Sequence, residues 1–584
     1  MTATRSLACI SALALAAAVA NADQFAPPAN YYAGVSGTGS SLKATLTTAM
    51  SAGHIQRTYG NFRDASKLFD TDPNNPSNIL LAYNRVSVSG QWNSGVTWNR
   101  EHVWPQSRQP GSASNSSRGN LGDPHALRPC NPSINSSRGN KPFGTSTTTG
   151  NFRSLGTFYF TGDTDKGDIA RSLFYSDTRW TSLGLNLVNG TPGSNQMGDL
   201  ASLVTWHYLD APDTFERRRN HIIATQSENP FYYTNNRNAY IDNPELVWSV
   251  YVDQANDTQL TLAGGGNMNG TSALNISLGA VLVGETTLLT MPVTINKAGS
   301  DGTYYDVSVS GDAKSDVLGK YNAFAMNTTG SRTISVGFDA ADTASAGMKS
   351  GTVTIDNLDV TTAGGAGRGA NDGDDTVGVS LLVLDHAQAS LEALADVDAG
   401  TIDLGSIALG SGDMVTNVDI FNLETTIGFT AGLDVELGSG SGDTSVITLG
   451  GLPLDNIAAG TSAAITATLD DAAADTYEAT YTLRVFDDRT LSGAQEGQLL
   501  TLTLSGVVSA GGCSPADVTT TGNASGTPDG VVDLSDFSYY LTLWSNADAQ
   551  ADVTTTGSAN GIADGTVDLS DFSYYLTLWS AGCP

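Results

Sequence analysis

Positive charge is what this sequence has least of: 28 Lys and Arg stand against 59 Asp and Glu, a net charge of −31. Taken over the whole chain, that balance excludes a general electrostatic grip on a polyanion. Long apolar runs are also missing. The one candidate, Leu7–Ala20, is too short to span a bilayer comfortably, and no basic stop-transfer flank follows it, which argues against a membrane anchor. Cysteine is scarce, with four in 584 residues. Cys9 lies in the apolar leader, and Cys513 and Cys583 bracket the last repeat region, where a disulfide closing a terminal module in an oxidising compartment is expected. Cys130 is left over and reads as a buried small apolar residue in preference to a reactive thiol.

What is present begins with an address. Arg5, the apolar run and Ala20-Asn21-Ala22 together form a secretory signal, residues 1–22, cut after Ala22. The remaining length is too great for one core and predicts three or four domains. Abundant Gly, Ser, Thr, Asp and Ala suit extracellular β-rich modules with many turns. Charge is also unevenly spread: Asp23–Asp253 holds 19 Lys/Arg against 18 Asp/Glu, so the acid lies almost wholly beyond it. A near-neutral first domain with a local basic cleft remains compatible with a polyanionic substrate.

Leu42, Leu46, Ala49 and Met50 recur at helix spacing. Ile79–Tyr83 is an apolar run of strand length, Val86 and Val88 alternate beyond it, and Gly90–Gly95 is a turn cluster leading through Val96–Trp98 into Glu101 and His102. These two side chains should stand at a strand end, where a rigid element presents a catalytic group to a loop. The pair supplies a hard oxygen ligand for a divalent cation and a base of near-neutral pKa. Alone it is a weak signal. The following block, Asp123–Asn140, strengthens it: Asn135 offers a second hard oxygen, read alternatively as a helix N-cap, and Arg128 and Arg138 are both candidates to hold a charged phosphate. His125 reads as structural or supporting.

Trp98–Ser107, WNREHVWPQS, followed by DPHALRPCNPSINSSRGN, resembles the bacterial endonuclease I family of secreted or periplasmic nucleases with the ββα-metal architecture. Leu200–Val247 extends the likeness, with Tyr232–Tyr240 interrupting the closing segment as an insertion or partial duplication. The resemblance implies His102 as general base, Glu101 and Asn135 as ligands of one Mg²⁺, an arginine on the scissile phosphate, and 5′-phosphate ends on DNA or RNA.

Beyond Gln259, short alternating runs such as Val281–Ile295, Thr333–Phe338, Val418–Phe421 and Leu499–Leu504 predict two antiparallel sandwiches of immunoglobulin-like type, residues 259–388 and 389–509. Gly364–Asp375 reads as a flexible linker. The end of the chain is a tandem repeat: Ala516–Ser545 returns as Ala551–Ser580, each half carrying DGxVDLSDF ahead of an amphipathic helix. Residues 513–584 resemble a type I dockerin of the variant bracketed by Gly-Cys and a terminal Cys. Asp529, Asp533 and Asp536 with Asp564, Asp568 and Asp571 are the expected Ca²⁺ ligands. Asp517 and Asp552 join them only if the insertion before Asp529 and Asp564 is looped out.

The expected fold class is therefore multidomain: an α+β ββα-metal domain over residues 23–255, two all-β sandwiches, and a small α-helical repeat pair. The expected function is that of a secreted Mg²⁺-dependent endonuclease on nucleic acid. A cohesin-like or cell-surface partner is implied for the tail. The alternative is an adhesive or scaffold protein with an inactive nuclease-like head.

Overall fold

The computed structural model describes residues 23–267, 270–287, 289–361 and 372–583. The proposed signal and most of the Gly364–Asp375 loop lie outside them. The chain divides into two compact units. The first holds the N-terminal domain and most of the first pair of sheets; the second holds the later sheets and the C-terminal repeats.

Helix α1, Gly39–Ser51, forms as its period predicts, burying Leu42, Leu46 and Met50 in one stripe, and Thr38 with Ser41 closes a capping box at its start. Helix α2 is Phe62–Phe69. The next three elements make a local strand-strand-helix unit. Strand β1, Asn99–His102, pairs antiparallel with β2, Leu127–Cys130, placing Glu101 opposite Arg128. Helix α3, Pro132–Arg138, follows at once. Its N-cap is Asn131, whose side chain accepts from the Ser133 and Ile134 amides, with Pro132 in the first turn. Asn135 therefore sits inside the helix with its side chain released from capping.

Helix α4, Lys166–Arg179, packs against the Pro124–Ala126 turn that leads into β2 and is buried from Lys166 to Thr178. A helix apolar on every side would be the usual occupant of such a position. This one carries charge that is matched in place: Arg171 bonds Glu216, Lys43 pairs with Asp177 at 2.5 Å, and Ser172 and Tyr175 hydroxyls donate to the His125 carbonyl and Asp123 at 2.7 Å each. Helices α5, Leu200–Leu209, and α6, Thr214–Ala224, pack beside it. The Tyr232–Tyr240 segment, read as an interruption, is tied into the core. Asn236 donates to the Tyr175 hydroxyl at 2.7 Å, its carbonyl takes the His125 ring nitrogen at 3.1 Å, and Arg237 pairs with Asp242 at 2.7 Å.

The first sandwich is joined to this domain through a shared core. Its four-stranded sheet runs 259–262, 289–298, 330–338, 314–315 and its five-stranded sheet 273–282, 375–384, 347–357, 303–311, 319–324. Tyr304 of that sheet is fully buried within the same apolar cluster as Phe174, Trp206 and Tyr208. Its hydroxyl donates to the His207 carbonyl at 2.6 Å, and the Tyr208 hydroxyl crosses back to Asp359 at 2.7 Å. Gly302 lets the two surfaces close, since a Cβ there would lie 2.6 Å from the Tyr208 ring. Burial pushes the Asp359 carboxyl well above the usual range, and its hydrogen bonds from Tyr304 and Tyr208 oppose that shift.

In the second unit the sheets run 388–390, 414–423, 461–469, 447–450 and 399–408, 500–509, 475–487, 433–442, 454–457. Here the expectation of purely antiparallel sheets is corrected: Ala399–Ala408 pairs in parallel with Leu500–Ser509. The roughly ninety intervening residues supply the long crossover that parallel neighbours require. The repeats form helices α7, Leu534–Ser545, and α8, Leu569–Ala581. They meet about a pseudo-twofold: the Tyr540 and Tyr575 rings stack 3.5 Å apart, and Trp544 and Trp579 each donate to the opposite repeat's Asp568 or Asp533 carbonyl at 2.8 Å. Cys513 and Cys583 are disulfide-bonded with Cα atoms 5.2 Å apart.

The shared core makes a prediction about independence. Tyr304→Ala is expected to destabilise the first unit by about 3–5 kcal/mol, and a chain ended at Asp253 to melt well below one that keeps the first sandwich. Thermal unfolding of the three proteins checks it; equal midpoints would show that the N-terminal domain stands alone.

Candidate active site

The strand-strand-helix unit opens a cleft walled by Arg100, Glu101, His102, Gln106, Asn135, Arg138 and Asn140. Alternation along β1 sorts its side chains onto two faces. Asn99 and Glu101 fall on one, Arg100 and His102 on the other. Glu101 is 2% exposed, and both its hydrogen bonds land on Oε1, from the Tyr83 hydroxyl at 2.7 Å and Arg138 Nη1 at 2.9 Å. Oε2 takes no hydrogen bond from the described residues. Burial raises the carboxyl above its ordinary range, while Arg138 and Tyr83 pull it back.

Asn135 is held in a defined orientation. Its Nδ2 donates to Asn99 Oδ1 at 2.7 Å, which leaves Oδ1 as an open acceptor. His102 is fixed in the same way. Nε2 lies 3.0 Å from the Leu121 carbonyl, which can only accept, so that nitrogen carries the hydrogen. Nδ1 keeps its lone pair, facing the Gln106 amide nitrogen at 3.3 Å. Desolvation, with the Arg100 and Arg138 charges, lowers the imidazole pKa to about 4, so the ring is neutral near pH 7.

This domain matches the family model described as Endonuclease I over residues 35–245. It is also 38% identical over 256 residues to the extracellular ribonuclease of Bacillus subtilis (strain 168), an alignment spanning 41% of this chain and 84% of that one. The chain belongs to the endonuclease I family. It is a nuclease, a hydrolase of phosphodiester bonds in nucleic acid. The extracellular ribonuclease of Bacillus amyloliquefaciens is 36% identical over 243 residues, spanning 38% of this chain and 78% of that one. Among solved structures, the extracellular cadherin domains 3-6 of protocadherin gamma B2 align over 44% of this chain and 52% of that chain at 13% identity, with a TM-score of 0.23, too low to assign a fold.

Of the residues singled out from the sequence, the nuclease cleft brings together Glu101, His102, Asn135 and Arg138. Arg138 is 1% exposed and both its terminal nitrogens are engaged: beyond Glu101, Nη1 donates to the His102 carbonyl at 2.9 Å and Nη2 to the Val103 carbonyl at 2.5 Å, the guanidinium lies over the Phe143 ring, and Nε has no partner among the described residues. Arg128 is elsewhere. It lines a separate pocket with Asp70, Arg85, Asp165 and Asp168, its Nη1 lying 3.9 Å from Asp70. The side chain is drawn there by buried carboxylates, a pull that sequence neighbours do not reveal. Cys130 is buried beside the site, and desolvation pushes its thiol well up, so it is inert.

Sequence reasoning missed Asn99, Tyr83, Gln106 and Arg100. Asn99 was readable, since it stands two residues before Glu101 on one strand face. Tyr83 and Leu121 are brought in by folding alone. Arg100 is the other arginine of the cleft: Nη1 donates to the Tyr59 carbonyl at 2.7 Å and Asn115 Oδ1 at 3.3 Å, and Nη2 takes no partner among the described residues.

The repeat acids are arranged differently from the expected cation cage. The insertion does loop out: Asp517 Oδ1 accepts from the Asp529 amide at 3.1 Å and Oδ2 from Gly530 at 2.7 Å, and Asp552 treats Asp564 and Gly565 alike. Asp533 and Asp568 are the helix caps, while Asp536 and Asp571 each take three backbone amides. Among the described residues, three carboxylates converge within 4.8 Å at Asp413, Asp470 and Asp471 instead.

Two predictions follow from buried charge near the cleft. Removing Arg138 leaves Glu101 as an unpaired buried carboxylate, so Arg138→Ala should cost about 3–5 kcal/mol of stability, measured by denaturant unfolding, and remove most activity. His125 is 2% exposed, and desolvation lowers its pKa from 6.5 to about 3. The unfolded chain therefore takes up this proton first as the pH falls. The stabilisation is complete above about pH 6.5 and declines steadily towards pH 3. His125→Asn should flatten that part of the stability–pH curve; an unchanged slope would show that His125 is not its source.

Proposed function

We propose that the cleft hydrolyses phosphodiesters of RNA and DNA by water attack, with His102 as base and Glu101 with Asn135 as the holders of a Mg²⁺ ion. The carrying observation is that one cleft presents two hard oxygens without hydrogen-bond partners among the described residues, Glu101 Oε2 and Asn135 Oδ1, beside a neutral imidazole whose lone pair is on a known nitrogen. Carboxylate and amide oxygens suit Mg²⁺, which when bound stabilises charge on the phosphoryl oxygens and on the leaving oxygen.

The chain's own residues then do the following. The Leu121 carbonyl holds Nε2–H, so Nδ1 removes the proton from the attacking water. Attack on phosphorus opposite the 3′ oxygen forms the new P–O bond as the old one breaks. The 3′ oxygen leaves as a hydroxyl, protonated by solvent water, the phosphate stays on the 5′ end, and His102 returns its proton to solvent. Arg100, whose Nη2 has no hydrogen-bond partner among the described residues, donates to the phosphate; Arg138 holds Glu101 and the His102–Val103 backbone in place. Since water is the nucleophile, no 2′-hydroxyl is needed and DNA is a chemical equal. The relatives' names, extracellular ribonuclease, favour RNA as a substrate and secretion as the destination, in keeping with residues 1–22 as a signal.

For the rest of the chain we take residues 259–388 and 389–509 as immunoglobulin-like sandwiches and 513–584 as a dockerin-like module that docks on a cohesin-like partner or anchors at the cell surface. No Lys or Arg follows Arg489, so Asp517, Asp529, Asp533 and Asp536, and their counterparts Asp552, Asp564, Asp568 and Asp571, have no basic residue beside them in sequence. Carboxylate oxygens are the donor chemistry Ca²⁺ takes; among the described residues these acids do not converge as a cage, and as its ligands they would bind through the lone pairs that the amides leave open.

His102→Ala is expected to lower kcat on RNA and on plasmid DNA by at least about 10²-fold, and Asn135→Ala to raise the Mg²⁺ concentration needed for half activity. Both are read in Mg²⁺ and in chelator. Full activity of the His102 variant would overturn the base assignment; a wild-type protein inactive on both polymers would favour the scaffold reading.

A further inference from the structure

Two aromatic side chains that hydrolysis does not use, Tyr59 and Trp92, stand against the cleft residues Arg100 and His102. Tyr59, on the segment before α2, lays its ring against His102, centroids 4.7 Å apart and planes 28° from parallel. The same ring carries the Arg100 guanidinium, whose carbon is 3.6 Å from the ring centre. On the outer side Trp92 approaches Arg100 at 5.2 Å. Indole, guanidinium, phenol and imidazole thus form one continuous ladder running from the Gly90–Gly95 turn to the base of the reaction. The outer rung is braced. Trp92 meets the fully buried Trp98 edge to face at 4.9 Å and packs on the small Ile79, Leu81 and Trp98 cluster, yet remains half-buried. Val96 in the same turn is 76% exposed, so this corner of the domain presents apolar surface to solvent.

Folding alone does not account for that arrangement. Trp98 already fills the small core, and Trp92 adds a ring at its rim beside a phosphate-binding arginine. Arg100 is gripped by the Tyr59 carbonyl and ring, which holds the guanidinium plane in a stack with a donor edge to spare. A phosphate at Arg100, Glu101 and His102 leaves the adjoining nucleoside beside this ladder. A paired base is kept inside the duplex stack and cannot reach it; an unpaired base can, and every base has a face to offer.

Resting on the nuclease reading of the cleft, we propose that Trp92 with the Tyr59–Arg100 pair is a stacking subsite for an unpaired nucleobase next to the scissile phosphate. It makes the enzyme prefer single-stranded over duplex nucleic acid, with little regard to sequence. Stacking of one base on an aromatic side chain contributes about 1–3 kcal/mol, which is a factor of roughly five to a hundred and fifty in kcat/KM.

The test uses the full-length protein in Mg²⁺ and three DNA substrates: a single-stranded oligonucleotide, its blunt duplex, and the same single strand with a run of abasic nucleotides around the cleavage site. The wild type is expected to favour the base-bearing strand over both others. In Trp92→Ala the ratio of base-bearing to abasic rates should fall towards one, and the single-strand to duplex ratio should fall with it. Trp92→Phe should keep most of both ratios, and its thermal midpoint controls for folding. Unchanged ratios in Trp92→Ala, or a wild type that cuts abasic and base-bearing strands equally, would overturn the subsite while leaving the hydrolytic reading intact. A wild type that cuts none of the three, nor RNA, would overturn the hydrolytic reading itself.

Discussion

The ion pair between Arg138 and Glu101 is the contact on which the cleft depends. Arg138 stands at the end of α3 and Glu101 within β1, so their bond ties the helix to the strand, and the two further bonds to the His102 and Val103 carbonyls hold the strand's exit. A buried pair of this kind gains little net stability over apolar packing, because both ions lose their hydration. Its value is directional. By taking Glu101 Oε1 together with Tyr83, it leaves Oε2 as the oxygen without a hydrogen bond from the described residues.

The same device recurs across the site: a second group occupies one end of each functional side chain and so commits the other. Leu121 holds Nε2 of His102 and assigns the lone pair to Nδ1; Asn99 holds Nδ2 of Asn135 and assigns the oxygen to the cleft; Tyr59 holds Arg100 flat. Such supports cost ordering entropy during folding and not during reaction, which is the general advantage of a preorganised site. The rigidity is underwritten by α4, whose buried polar groups reach Asp123 and the His125 carbonyl behind β2, and by the first sandwich, whose Tyr304 completes the core beside α5. The later sheets and the repeat pair form a separate compact unit.

How much of this was legible in the sequence depended on how local the cause was. The period-four stripe of α1, the turn at Gly90–Gly95 and the strand ending in Glu101 and His102 rest on neighbours in the chain, and they were readable. Asn135 was found, but its alternative role as an N-cap fell to Asn131 four residues earlier, because Pro132 marks the first helical turn. Arg128 and Arg138 were indistinguishable by spacing. A long flexible side chain goes where buried carboxylates pull it, and Asp70 and Glu101 are brought near by different parts of the fold. The Tyr232–Tyr240 segment looked like an interruption because its partners, Tyr175, His125 and Asp242, are contributed by other elements.

By itself, then, the sequence determined the chemical inventory and its order: an acid and an imidazole on one strand, an amide on the helix that follows the paired strand, an apolar run ahead of them and an acidic repeat behind. Strand alternation and turn chemistry act over a few residues, so that much needs no tertiary information. The tertiary structure decided which oxygen of Glu101 is open, which nitrogen of His102 carries the lone pair, which cleft arginine keeps a terminal nitrogen without a partner among the described residues, and that the first pair of sheets shares the core of the N-terminal domain. Each of those outcomes is set by a hydrogen bond or an apolar contact between residues far apart in the chain, and only folding brings such partners within range.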